Sequence, residues 1–345
     1  MRLALFAALG LLASFGAAGA ADQGDTQAWW RGYEAAAPIR TSDARKLDVY
    51  CMGSGSPVAV FETGLGGGAT GYRWVQPQIA KTTRACVYNR AGYGHSDEAR
   101  DVRDLEALSA DLGAVVKAVG QGRPVVLVGQ SFGGPITRYF AYRHPAQVAG
   151  MVQIDPSGDD QQTRFEAALP GFAVRTLEGE RAGRLKCIGL WDKGPIAEGT
   201  DEYKSCVDLS PASPWPPLDT PTDLHARIVA ERGPGFQRMA MAEWQAFAGS
   251  DRDARQAAAA PRSLGDTPLV VLTRGEQVTL PGLGPAQIST LTEVWRQMHA
   301  EIAQLSSHGR RQIIEGAGHN IHVDKPGAVI AAVDEVVAEA RARRR

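Results

Sequence analysis

One stretch of this chain constrains its fold more than any other. Pro124-Val125-Val126-Leu127-Val128 runs directly into Gly129-Gln130-Ser131-Phe132-Gly133, and that into Gly134-Pro135-Ile136-Thr137-Arg138-Tyr139-Phe140-Ala141. The order is a short apolar β-branched run, a glycine-flanked serine, then a helix-like stretch. A serine on so sharp a strand-to-helix turn is pushed into strained backbone. Close packing there tolerates only small neighbours, here Gly129 and Gly133. The turn lifts the Ser131 hydroxyl clear of the sheet and aims the Phe132 N–H at the place where an oxyanion would form. The bare G-x-S-x-G pattern is weak in a chain with 39 glycines, and the plain alternative is an ordinary Gly/Ser turn. The strand before it and the helix after it favour an exposed nucleophile.

The neighbourhood repeats the same rhythm. Strand-like runs cover 47–51, 58–62, 85–88, 125–128 and 150–154, and helix-like stretches cover 74–81, 105–119 and 134–143. Leu105, Leu108, Leu112, Val115, Val116 and Val119 recur at helical spacing and predict a buried stripe. Alternating β and α units predict an α/β fold, a mostly parallel sheet with helices on both faces. The rhythm breaks after Asp155. Residues 157–264 carry proline-rich turns and helix-like pieces without a strong strand, which predicts a mainly helical cap. A strand (268–273), a helix (291–305), a strand (311–314) and a last helix (328–342) then resume the core. The core is therefore expected to comprise 21–156 and 265–345, with 22–46 a mixed, partly ordered lead-in.

The first twenty residues read as a signal peptide. Arg2 supplies a positive start, Leu3 to Phe15 is apolar, and Ala18-Gly19-Ala20 suits cleavage by a signal peptidase. Export to the periplasm or the extracellular space is expected, with cleavage near Ala20; the alternative is an uncleaved anchor. Nothing later is long and apolar enough to span a bilayer. The remainder can bury a large core. A net charge of −1 gives no electrostatic case for nucleic acid or an anionic surface. The terminal Arg341, Arg343, Arg344 and Arg345 read as cations at a helix C-terminus.

Four cysteines behind an export signal permit disulfides. Cys51 ends one strand-like run and Cys86 sits in another, while Cys187 and Cys206 lie close together. The expected pairs are Cys51–Cys86 and Cys187–Cys206, the second closing a loop of about 20 residues worth about 3 kcal/mol. Four free thiols is the alternative. No Cys/His spacing resembles a metal site.

A serine nucleophile needs a base and a group to orient it. His319 lies in Glu315-Gly316-Ala317-Gly318-His319-Asn320, between the last strand and the last helix. A loop at the carboxyl end of that strand opens on the same sheet edge as Ser131. His322 is the nearby competitor, and the tight Gly316-x-Gly318 turn favours His319.

With these residues placed, the chain resembles the α/β-hydrolase superfamily, with a cap inserted after the sixth strand. The resemblance covers most of 46–156 and 265–340. It rests on the Ser131 turn, Gly64-Leu65-Gly66-Gly67, Asn89-Arg90-Ala91-Gly92-Tyr93-Gly94-His95-Ser96 and Gly318-His319 in that order. It implies that the Leu65 N–H is the second oxyanion donor beside that of Phe132. The family usually has His-Gly where this chain has Thr63-Gly64, a change that spares a backbone donor. Gly64-x-Gly66-x-x-Ala69 also imitates a dinucleotide fingerprint. That reading wants an acid about 20 residues on, and none occurs between Glu62 and Asp97.

The resemblance leaves the third member of the triad open. The usual acid position, aligned on Gly275, holds Val278; Glu276 is the only carboxylate in that turn. Asp155 ends the strand after Ser131, where some capped relatives such as certain haloalkane dehalogenases carry their acid. Asp155 is the preferred partner of His319, Glu276 the alternative, and a turn-starting Asp before Pro156 the plain reading. Arg90, Gly92 and Tyr93 are expected to hold the loop beside the site. Trp191, Trp215, Phe236, Met239, Trp244 and Phe247 are expected either to wall an apolar pocket or to form cap core.

The function implied is a serine hydrolase cleaving a carboxylic ester or related small acyl compound through an acyl-enzyme, with no metal or organic cofactor. A serine in this turn disfavours dehalogenase or epoxide hydrolase chemistry, whose family members carry Asp there. Lactonase, amidase or aminopeptidase, acyltransferase and a non-catalytic ligand-binding relative remain open. Oligomeric state is not legible.

Overall fold

Val125 and Leu127 face one side of the sheet, and Val126 and Val128 face the other, so a fully apolar strand feeds two cores at once. The same alternation recurs in the neighbouring strands: Met151 against Val152 and Ile154, Leu269 and Val271 against Val270 and Leu272. A strand buried on both faces must lie inside a sheet covered by helices. The structure, a computed structural model, describes residues 23–197, 199–208, 232–278, 280 and 282–343. The segment read as a signal peptide lies outside the described residues, as does Trp215.

Nine strands form among the described residues: β1 Ile39–Arg40, β2 Lys46–Leu47, β3 Val49–Met52, β4 Ala59–Glu62, β5 Ala85–Tyr88, β6 Val125–Gln130, β7 Val148–Ile154, β8 Leu269–Arg274 and β9 Gly309–Ile314. β1 and β2 pair with each other, and the rest form a seven-stranded sheet of order β3-β5-β4-β6-β7-β8-β9. All its pairs are parallel except β3 with β5. The sequence run 47–51 breaks at Asp48, which separates β2 from β3. Because β1 and β2 stand apart, the helical insertion follows the fifth strand of the main sheet, where the resemblance counts a sixth.

The strand order reverses beside β4. Its chain successor β5 lies on one side of it and β6 on the other. The loops leaving β4 and β6 therefore diverge, and a crevice opens between them at the carboxyl edge. The Gly64 turn leaves β4 and the Ser131 turn leaves β6, so topology alone brings the two together.

Helices Leu105–Gly120 and Gly133–Arg143 cover one face, and Pro326–Ala342 covers the other. The six-residue stripe expected on Leu105–Gly120 is wholly buried. Asp104 caps that helix, accepting from the Ala107 N–H at 3.1 Å. Two stretches differ from the sequence reading. The lead-in is ordered into helix Gln23–Glu34 and the β1–β2 pair, because Trp29, Trp30 and Tyr33 bury themselves against the second face. Of 74–81, only Gln76–Ile79 is helical, with Pro77 in its first turn and Thr82 and Thr83 beyond its end. The cysteines are joined as Cys51–Cys86, directly opposite one another across β3 and β5, and as Cys187–Cys206.

Between β7 and β8 the described residues form helices, chiefly Gln161–Ala168, Glu178–Trp191, Pro234–Phe247 and Arg252–Ala259. The last docks on the core through Asp253, which accepts the Leu105 N–H at 3.0 Å. Its other carboxylate oxygen is buried without a partner. Burial, against that one hydrogen bond and with Asp104 and Glu243 adding repulsion, pushes the Asp253 carboxyl up to about 7. A folded-state value above the unfolded one means that the folded protein keeps a proton the unfolded chain releases. The contribution of this group to stability is fully present below about pH 4 and is lost as pH rises through about 7. Asp253→Asn keeps the accepting oxygen and removes the charge. It is expected to flatten this slope and to stabilise the fold at pH 8 by an amount on the order of a few kcal/mol. Unfolding curves from pH 4 to 8 check it.

Candidate active site

The turn after β6 is built by exclusion. A Cβ on Gly129 would meet Thr137 Oγ1 at 2.5 Å, and one on Gly133 would meet the Glu62 carbonyl at 2.4 Å. Helix Gly133–Arg143 can therefore start against β4 only with glycine at both positions. Ser131 between them has φ 51°, left-handed backbone that costs a non-glycine residue free energy and needs surrounding structure to hold it. The helix begins at once, with the Gly134 N–H donating to the Ser131 carbonyl at 2.9 Å.

His319 stands on the loop after β9, with Nε2 at 2.8 Å from Ser131 Oγ and Nδ1 at 2.6 Å from Asp155 Oδ2. Asp155 directly follows β7 and is the second strained residue, with φ 42°. Its Oδ1 accepts from the Arg274 backbone N–H at 3.0 Å and from Trp295 Nε1 at 3.0 Å, so Oδ2 is left to His319. Burial alone would push the Asp155 carboxyl up. The His319 hydrogen bond and charge, then the Arg274 guanidinium, outweigh that and hold it below the usual carboxylate range. Asp155 is thus an anion across the pH range in which His319 would act as a base.

Glu276 is exposed on the loop after β8, and its backbone N–H donates to the Ala317 carbonyl. The carboxylate that the structure places on His319 is that of Asp155. His322 is buried against the Tyr72 ring, 5.0 Å between centroids, and burial lowers its pKa to about 3. It does not reach Ser131. His299 lies behind Asp155, its Nε2 at 2.8 Å from the Pro156 carbonyl and its Nδ1 at 2.8 Å from Thr273 Oγ1. Burial lowers its pKa to about 4, so it stays neutral and leaves the Asp155 charge to His319. Trp295, Arg274 and His299 were not singled out in the sequence. The helix carrying Trp295 and His299 was legible, and its buried stripe is the signal that could have drawn attention to them.

Two cavities meet at this serine. One, of about 280 Å³, is lined by the Gly64–Gly68 turn with Thr63, Tyr72, Arg232 and Asn320. The other, of about 470 Å³, is walled by Phe165, Phe172, Trp244, Phe247, Leu291 and Trp295. Ser131, His319 and Leu65 border both. Of the aromatic candidates, Trp244 and Phe247 line the apolar cavity. Phe236 and Met239 pack into the core, Phe236 edge-on to Tyr93, and Trp191 packs beside the Cys187–Cys206 bridge. No group of three or more His, Cys, Asp and Glu side chains able to hold a metal occurs among the described residues. No described helix is long and apolar enough to cross a membrane.

Residues 57–184 match the family model described as the alpha/beta hydrolase fold. YbdG of Bacillus subtilis strain 168 is 29% identical over 145 residues, 40% of this chain and 45% of that protein. The 2-hydroxymuconate semialdehyde hydrolase of Pseudomonas sp. strain CF600 is 31% identical over 126 residues, 36% of this chain and 42% of that enzyme. The chain thus spans less than half the length of these two curated relatives. The solved structure of a thermophilic esterase from Thermogutta terrifontis superposes with a TM-score of 0.55 at 18% identity, covering 88% of this chain and 98% of that one. Mostly parallel seven-stranded sheet, serine turn and matched segment agree, and the chain has the α/β-hydrolase fold.

Proposed function

We propose that the protein is an exported serine hydrolase that cleaves a small carboxylic ester through an acyl-enzyme. The observation that carries this reading is the continuous chain Ser131 Oγ, His319 Nε2, His319 Nδ1, Asp155 Oδ2, with separations of 2.8 and 2.6 Å across the two hydrogen bonds. His319 takes the Ser131 proton as Oγ attacks the ester carbonyl, and Asp155 stabilises the imidazolium that results. The N–H groups of Leu65 and Phe132 hold the oxyanion. His319 then protonates the leaving alcohol, and water cleaves the acyl-enzyme by the same route. The side chains supply nucleophile, base and acid, so the cycle draws on no cofactor. Two disulfides suit an oxidising compartment and support export.

The cavities suggest how the ester lies. The larger, aromatic one takes an apolar acyl or alkyl chain, and the glycine-rich one takes a short or polar remainder. A panel of p-nitrophenyl esters of increasing acyl length tests this on purified protein, with Ser131→Ala as control. Activity is expected to rise from acetate to a medium chain. Val278 lines the aromatic cavity on a loop, so Val278→Trp should narrow it at little cost to folding. We expect kcat/KM for the medium-chain ester to fall about 10-fold or more while that for acetate holds. No turnover of any ester by the wild type, or equal turnover by Ser131→Ala, would refute the reading.

A further inference from the structure

Arg90 is fully buried, and every branch of its guanidinium is occupied. Nη1 donates to Glu62 Oε1 at 2.7 Å and to the Thr63 carbonyl at 2.7 Å. Nη2 donates to the Gly64 carbonyl at 2.8 Å. Glu243, from helix Pro234–Phe247 in the segment between β7 and β8, receives Nε at 2.8 Å on one oxygen and Nη2 at 2.9 Å on the other. The Tyr93 hydroxyl donates to Glu243 Oε2 at 2.8 Å.

The carbonyl of Gly64 and the N–H of Leu65 belong to one peptide unit. That unit is planar and trans, so its C=O and N–H point in opposite directions. Whatever holds the carbonyl, here Arg90 together with the Gly67 N–H at 3.0 Å, therefore aims the N–H. The unit lies hard against the serine turn, since a Cβ on Gly64 would come within 3.1 Å of Ser131 Cβ. A guanidinium on the carbonyl side also draws electron density from the peptide and makes the N–H a better donor. Apolar side chains in place of the whole Arg90–Glu62–Glu243 cluster could fill the same volume, often at no loss of stability. Only a planar fork can hold two successive carbonyls and a carboxylate from another element at once. The two carbonyls fix one edge of that fork, and Glu243 fixes the opposite edge.

We propose that Arg90 and Glu243 are positioning residues for the oxyanion donor at Leu65, so that full catalytic rate requires the inserted segment to be docked on the core. This rests on the acyl-enzyme reading given above. It makes the insertion part of the catalytic apparatus as well as the wall of a pocket.

The test uses the full-length protein and the variants Glu243→Gln and Arg90→Lys. A chromogenic fluorophosphonate first titrates the competent serines, so that kcat is expressed per titrated site. Loss of one oxyanion donor costs 10²- to 10³-fold, and a misaimed donor costs part of that. The expected losses in kcat are about 10-fold for Glu243→Gln and about 100-fold for Arg90→Lys, with KM within about threefold of wild type. Affinity for a trifluoromethyl ketone, whose adduct carries the oxyanion, should fall in step with kcat/KM, while binding of the product carboxylate holds. If Glu243→Gln does not accumulate folded, Tyr93→Phe carries the same test with an expected loss of about fivefold. Wild-type kcat per titrated site with only a lower melting temperature would overturn the proposal, as would a change confined to KM. A wild type that the fluorophosphonate does not titrate would remove the acyl-enzyme reading, and this inference with it.

Discussion

Replacing Ser131 with alanine is expected to lower ester turnover by about 10⁶-fold. The size follows from the loss of the covalent route, since among the described residues no other nucleophile is hydrogen-bonded to His319. What remains is the contribution of oxyanion donors and binding, about 10³-fold over water. His319→Ala should cost about as much, because the three groups act as one unit and their losses do not add. Neither substitution should unfold the protein. The alanine at 131 inherits the same left-handed backbone, held by the Ser131 N–H bond to the Ile154 carbonyl at 3.1 Å and the Gly134 N–H bond at 2.9 Å. Steady-state kinetics with thermal unfolding as control checks both expectations. Turnover in Ser131→Ala within 10-fold of wild type would mean that the chemistry runs elsewhere.

Asp155→Asn should cost about 10⁴-fold in kcat, and the surroundings of Asp155 give the reason. Its Oδ1 is held by two donors, the Arg274 N–H and Trp295 Nε1. An asparagine must keep its oxygen there, which turns its NH₂ toward His319 Nδ1. That nitrogen then has to accept, the ring proton moves to Nε2, and Nε2 can no longer take the proton from Ser131. The substitution changes the tautomer while the geometry stands. Glu276→Gln, on an exposed loop with its side chain off His319, should leave kcat within about twofold. The reverse pattern would move the acid from β7 to the loop after β8 and break the proposed triad.

How much of this was legible depends on how local each signal is. The Ser131 turn is written in five consecutive residues, because the packing that demands glycine at 129 and 133 comes from the turn itself and from the adjacent strand. His319 follows nearly as directly, since a glycine-rich loop after a strand of a parallel sheet can open only on the edge where Ser131 stands. Asp155 was one of two candidates. Choosing it requires knowing that β7 lies between β6 and β8, a fact of sheet order rather than of neighbouring residues.

The supporting shell was not legible for the same reason. Trp295 lies 140 residues from Asp155 in the chain, and Glu243 lies 153 from Arg90. Each is an ordinary helix residue until the fold brings it into place. Boundaries erred where polar residues diluted a pattern. Helix Pro285–Ala303 starts six residues ahead of the apolar stripe that predicts it, on Pro285 in its first turn. The lead-in reads as mixed and only partly ordered because a tight aromatic cluster, Trp29, Trp30 and Tyr33, carries its burial in place of a repeating stripe.

The central claim is that Ser131 is a nucleophile activated by His319. The most direct measurement is the site and stoichiometry of a fluorophosphonate adduct on the purified protein, read by intact and peptide mass spectrometry. One adduct per chain on Ser131 is predicted, absent from Ser131→Ala and formed far more slowly in His319→Ala. No adduct on the folded wild type, or an adduct that persists in Ser131→Ala, would contradict the claim.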